Sequence, residues 1–98
     1  MKRVAALLIA SVILGADAGY VPPKGFIPDE ATAVRVAEAL LVPVYGAQNI
    51  ANERPLTAKL EGDVWIVTGS VPPGRVGGAA TVKIAKRDGR VLYMMHGK

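Results

Sequence analysis

Ala33, Val34, Ala37, Leu41 and Val44 recur at steps of three and four residues, Val36 and Leu40 widen the stripe, and Arg35 and Glu38 sit a turn apart on the wetter side. That period predicts an amphipathic helix with one buried face. Asp29 is placed to accept hydrogen bonds from the first free amides, and Glu30 suits the positive end of the helix dipole. Thr32, in place of a glutamate, leaves the capping box incomplete. Pro43 lacks an amide hydrogen and collides with the carbonyl four residues back, which predicts a kink or an end near Val42, with Gly46 as a left-handed stop after Tyr45.

Beyond a polar link from Ala47 to Arg54 the period changes to two, and turn signals divide the rest into four strands: Leu56 to Leu60, Val64 to Val71, Ala79 to Lys86 and Arg90 to Met95. Glu61-Gly62-Asp63 and Arg87-Asp88-Gly89 read as hairpin turns. Ser70 to Gly78, SVPPGRVGG, leads into a strand and lacks the lysine and hydroxyl residue that follow a phosphate-binding loop, so it reads as a connection between strands two and three. One helix followed by an antiparallel meander is an α+β layout. Ahead of it, Tyr20 to Ile27 carries Pro22, Pro23 and Gly25 and reads as an extended arm.

Strand two carries the most informative pattern. Val64, Trp65, Ile66 and Val67 are apolar at successive positions, so both faces of the strand should be dry, while one helical stripe shields only one side of a four-stranded sheet. Val91 to Met95 is likewise apolar on both sides. The cover for the second face is the arm, a second copy of the chain, or a different protein. Unless the arm folds over it, the sheet's second face, or its rim at Pro72 to Val76, is the expected protein-binding surface. Trp65 and Tyr93 are its candidate contacts on the strands, Pro73, Arg75 and Val76 on the rim, and His96 and Lys98 at the end of the chain.

Composition changes this picture at the N-terminus. Met1-Lys2-Arg3 is basic, Val4 to Leu14 is almost wholly apolar, and Ala16-Asp17-Ala18 places small residues where a signal peptidase reads them. Residues 1–18 read as a secretory signal peptide, too short for the roughly 20 apolar residues a membrane span needs. The expected location is outside the cytoplasm, in a bacterial periplasm. The remainder divides into an arm over 19–27 and one domain over 28–98, a length that supports one modest core. The chain has no cysteine, so no disulfide staples that core. Removing Lys2, Arg3 and Asp17 takes 12 basic and 8 acidic residues to 10 and 7, a mild net charge of +3. The basic residues are scattered and not interleaved with aromatics, which points away from nucleic acid.

The chemistry-bearing residues are few. Nucleophilic catalysis needs a base beside a hydroxyl or thiol, but His96 is the one histidine and Ser70 the one serine after the leader. His96 reads either as an exposed tail residue or as part of a polar contact with Lys98 and the terminal carboxylate. One histidine and dispersed carboxylates give no metal-ligand spacing. Glu30, Glu38, Glu53, Glu61, Asp63 and Asp88 could supply a carboxylate pair, but most belong to the helix start or to turns. The expectation is a non-enzymatic binding protein with no cofactor, no metal and no membrane contact once the leader is cleaved. A homodimer stays open.

The ordered set Ala37-Glu38-Ala39, Pro43-Val44-Tyr45-Gly46, Pro55, Gly62-Asp63-Val64-Trp65-Ile66-Val67, Gly69, Gly77-Gly78, Asp88-Gly89 and His96-Gly97-Lys98 resembles a family of small bacterial proteins, the nuclear transport factor 2 fold immunity proteins. The likeness spans Pro28 to Lys98. It implies a nuclear-transport-factor-like fold, here reduced to a cystatin-like core of one helix on four strands, and a role in binding and neutralising a cognate bacterial toxin. The alternative partner is an endogenous periplasmic hydrolase, with this chain as its inhibitor or regulatory module.

Overall fold

The structure, a computed structural model, describes residues 19–97, so the expected leader over residues 1–18 and the candidate contact Lys98 lie outside the described residues. Helix α1 spans Glu30–Tyr45 and is followed by a one-turn helix α2, Ala47–Ala51. Strands β1 (Thr57–Glu61), β2 (Val64–Thr68), β3 (Ala80–Ala85) and β4 (Val91–His96) then form one antiparallel sheet in sequential order. Among the described residues no helix is long and apolar enough to cross a membrane.

Helix α1 begins where its cap predicts. The Asp29 carboxylate accepts the Thr32 amide at 2.8 Å, and hydrogen bonding from the Thr32 side chain, followed by that from its amide, holds the Asp29 carboxyl below the usual carboxylate range. At its other end the helix runs through Pro43 to Tyr45 rather than ending near Val42. Pro43 lies on the exposed side of the last turn and removes only its own amide, while the Gly46 amide closes onto the Val42 carbonyl at 2.8 Å. Gly46 does stop the helix, but at φ 94° and ψ 141° rather than in the left-handed helical well. Val44, expected in the buried stripe, is exposed.

The contact stripe of α1 is made of Ala33, Ala37 and Leu41, all fully buried. Its two alanines let the helix sit close over Val67, Val82 and Ile84, which alternate inward from β2 and β3. The link expected to be merely polar contains α2, whose Ile50 is buried and joins this core. One apolar residue in a five-residue turn leaves no period to detect.

Strand β2 is shorter than expected, ending at Thr68. The Ser70 amide donates to the Glu53 carbonyl at 2.7 Å, which draws the chain out of the sheet toward the end of α2. In β4 the register shifts: Lys83 pairs with Tyr93 and Ile84 with Val91, leaving Leu92 as the extra residue of a bulge.

The arm settles where the cover lies. Gly25 is pressed against the Lys86 carbonyl so closely that a side chain there would collide with backbone. The Phe26 and Ile27 amides donate to the carbonyls of Arg87 and Lys86 at 2.9 and 3.0 Å. Ile27 is buried in the same core as the helices, and its carbonyl accepts the Trp65 indole N–H at 2.8 Å. The arm therefore covers the helix-bearing face of the sheet. Among the described residues nothing is layered on the opposite face.

Candidate functional site

Register fixes what the uncovered face displays. Since Trp65, Val67, Val82 and Ile84 point to the helices, their neighbours point away. One row across the sheet reads Lys59, Ile66, Lys83, Tyr93, a second reads Thr57, Thr68, Thr81, Met95, and a third reads Glu61, Val64, Ala85. Ile66 is half-buried at the centre and Val64 half-buried at the β1–β2 turn end of the same strand, while Tyr93 and Met95 are exposed on the edge strand β4. The Lys83 ammonium lies 5.1 Å from the centre of the Tyr93 ring, and the Lys59 ammonium is 3.7 Å from Glu61. The result is an apolar centre and a cationic flank with no layer over them.

A second feature lies at the end of the sheet where the β2–β3 connection leaves. A cleft of about 380 Å³ is bounded by Tyr45, Glu53, His96 and the connection from Ser70 to Gly78, including Arg75 and Val76. At its floor Glu53 is the buried charged residue of the described chain. One carboxylate oxygen accepts the Ala80 amide at 2.7 Å, and the other lies 2.6 Å from His96 Nε2. Gly69 makes room for it, because a Cβ at that position would stand 2.5 Å from the carboxylate. The Tyr45 ring tilts over the imidazole with centroids 5.1 Å apart.

His96 Nδ1 lies 2.6 Å from the Gly97 carbonyl, so both ring nitrogens face acceptors, and only the doubly protonated ring donates to both. The bond to Glu53, followed by that to Gly97, raises the His96 pKa above the ordinary imidazole value. The folded state therefore favours the cation. This stabilisation is complete below the unfolded imidazole pKa of about 6.5 and is lost as pH rises through the higher folded value. Urea unfolding should accordingly show a midpoint that falls as pH rises above neutrality, and His96→Gln should flatten that fall. An equally steep fall in the variant would contradict the assignment.

With both nitrogens engaged, His96 has no free lone pair to take a proton from Ser70, whose hydroxyl donates to the Pro55 carbonyl at 2.6 Å. Glu38, another carboxylate of the sequence, is held by Arg54 through two bonds of 2.6 and 3.1 Å, which lower its pKa. The cluster is built to hold structure together.

The expected contact residues thus separate. Arg75, Val76 and His96 come together at the cleft, and Pro73 is exposed on the same connection. Tyr93 stands on the uncovered face. Trp65 is a correction: it is 5% exposed, enclosed on the helix side and bonded to the arm, so no partner reaches it. His96 is not an exposed tail residue, since it ends β4 and is half-buried against Glu53; its expected contact with Lys98 lies outside the described residues. Sequence reasoning missed the Glu53–His96 pairing and the central place of Ile66, Lys59 and Lys83. The alternation of β2 and β3 carried the signal for the second group.

The sequence model of a family described as NTF2 fold immunity protein matches residues 32–98. The chain is also similar to the uncharacterized protein YhhH of Escherichia coli, with 29% identity over 76 residues, covering 76% of this chain and 60% of that protein. It thus spans about three fifths of that relative's length. No solved structure matches the chain.

Proposed function

Because the chain belongs to the NTF2 fold immunity protein family, we propose that it is an exported immunity protein that binds a cognate bacterial toxin and neutralises it by covering it, without turnover. The observation that carries this reading is the unequal dressing of the sheet. Two helices and the arm cover one face over β2 and β3, while the other presents Ile66, Val64, Tyr93 and Met95 with no layer over them. A partner that supplies the missing layer gains the apolar burial that the chain does not provide for itself, at roughly 25 cal/mol per Å². Catalysis is not needed for this role, and the engaged nitrogens of His96 fit that. The basic, apolar leader of residues 1–18 supports export, which places the toxin in the periplasm.

Growth protection tests the function. Exported toxin domains encoded in the same genome are expressed one at a time in the periplasm of a sensitive host, with and without this chain. Wild type should restore growth against one of them, Ile66→Asp should abolish rescue while keeping a wild-type melting temperature, and Val76→Asp, altered at the rim, should lower it only in part. Protection against none would refute the immunity reading.

A further inference from the structure

We propose that the toxin surface held by this protein has an apolar centre and an acidic rim, and that it docks on the uncovered sheet face with Ile66 in the middle and Lys59 and Lys83 gripping carboxylates on either side. This rests on the immunity reading and names the chemistry of the partner.

The row Lys59, Ile66, Lys83, Tyr93 sets that chemistry. Two strand spacings separate the lysines, about 10 Å, so they flank the isoleucine symmetrically. The face carries one carboxylate, Glu61, at its corner, where it stands at 3.7 Å from Lys59. Lys83 rests on the Tyr93 ring and has no carboxylate partner among the described residues. The face is therefore cationic around a greasy centre.

That pattern decides between occupants. A second copy packed face to face would be related by a two-fold axis lying between the sheets. With the axis through Ile66 along the row, Lys59 meets Lys59 and Lys83 meets Lys83. With the axis along the strands, Lys59 meets Lys83. Both arrangements that centre Ile66 on Ile66 press like charges together around a desolvated centre, which opposes self-association through it. A nucleic acid would want further arginines or stacked aromatics, and the face offers only Tyr93. A protein patch with aspartate or glutamate around an apolar middle satisfies both the charge and the centre.

The test uses the purified toxin domain identified by growth protection, titrated with wild type, with Lys59→Glu/Lys83→Glu, and with Arg87→Glu/Arg90→Glu as a control of equal charge change at the β3–β4 turn. Affinity should fall about 100-fold in the lysine variant and stay within about threefold of wild type in the control. Added salt should weaken wild-type binding more than that of the lysine variant. Matching melting temperatures show that both variants fold. Equal losses in the two variants would reduce the effect to net charge and overturn the proposal, as would wild-type affinity in the lysine variant, although toxin binding would then stand. Absence of wild-type binding would remove both readings. Sedimentation of the chain alone should give a monomer, and a dimer abolished by Ile66→Asp would place a second copy on the face instead.

Discussion

Trp65→Ala is expected to lower the unfolding free energy by about 3–5 kcal/mol, the range for emptying a large aromatic site from a core. The side chain is 5% exposed and packed among Ile27, Val67 and Ile84 of the same cluster, and its indole N–H donates to the Ile27 carbonyl. Truncation removes the ring from the core and also unties the arm. Small domains begin with about 5–15 kcal/mol, so the variant stands near the edge of folding. Trp65→Phe keeps most of the ring and loses the hydrogen bond, and should cost visibly less. Since Trp65 is the one tryptophan of the chain, far-ultraviolet circular dichroism in urea is the suitable readout. A loss below about 1 kcal/mol would move the indole out of the core.

The second large effect is expected at Glu53. Glu53→Ala strips the acceptor from the buried Ala80 amide and leaves the His96 ring facing a cavity. Breaking a fully buried ion pair costs about 3–5 kcal/mol. Here the His96 side chain keeps 29% of its surface in water, so the loss should be nearer ~2–4 kcal/mol. Glu53→Gln should be milder, because an amide oxygen still accepts from Ala80 while the amide N–H₂ donates to a neutral imidazole. Its signature is therefore a weaker pH dependence of stability alongside a small loss at neutral pH. If Glu53→Ala and Glu53→Gln cost the same, the carboxylate's two bonds are not what anchors the junction of α2, β3 and β4.

These two sites differ in how they could be read from sequence. Trp65 sits in an apolar run whose burial was plain, but not the side that would cover it. Only the fold shows that Ile27, 38 positions earlier, carries the carbonyl that takes its N–H. The helix start was legible because Asp29 and Glu30 act within one turn. Its end was not, because the effect of Pro43 depends on which face of the last turn it occupies. The four strands were legible from alternation and turn residues, with ends displaced where a distant group intervenes, as Glu53 does at Ser70. The Glu53–His96 pair joins residues 43 apart with no local pattern to announce it. The excess of apolar sheet over helix was legible as an amount, and the structure adds which residues carry it: Ile66, Val64, Tyr93 and Met95 rather than Trp65.

Whether the proposed toxin partner sits on the bare side of the sheet is decided by hydroxyl-radical footprinting of the chain alone and in complex, since Tyr93 and Met95 are both oxidisable and both stand on that face. Their oxidation should slow severalfold in the complex while exposed Tyr20 and Phe26 of the arm keep their free rates. Unchanged rates at Tyr93 and Met95, with protection confined to Tyr45 and the connection from Pro72 to Gly78, would move the toxin to the cleft and contradict docking on the sheet.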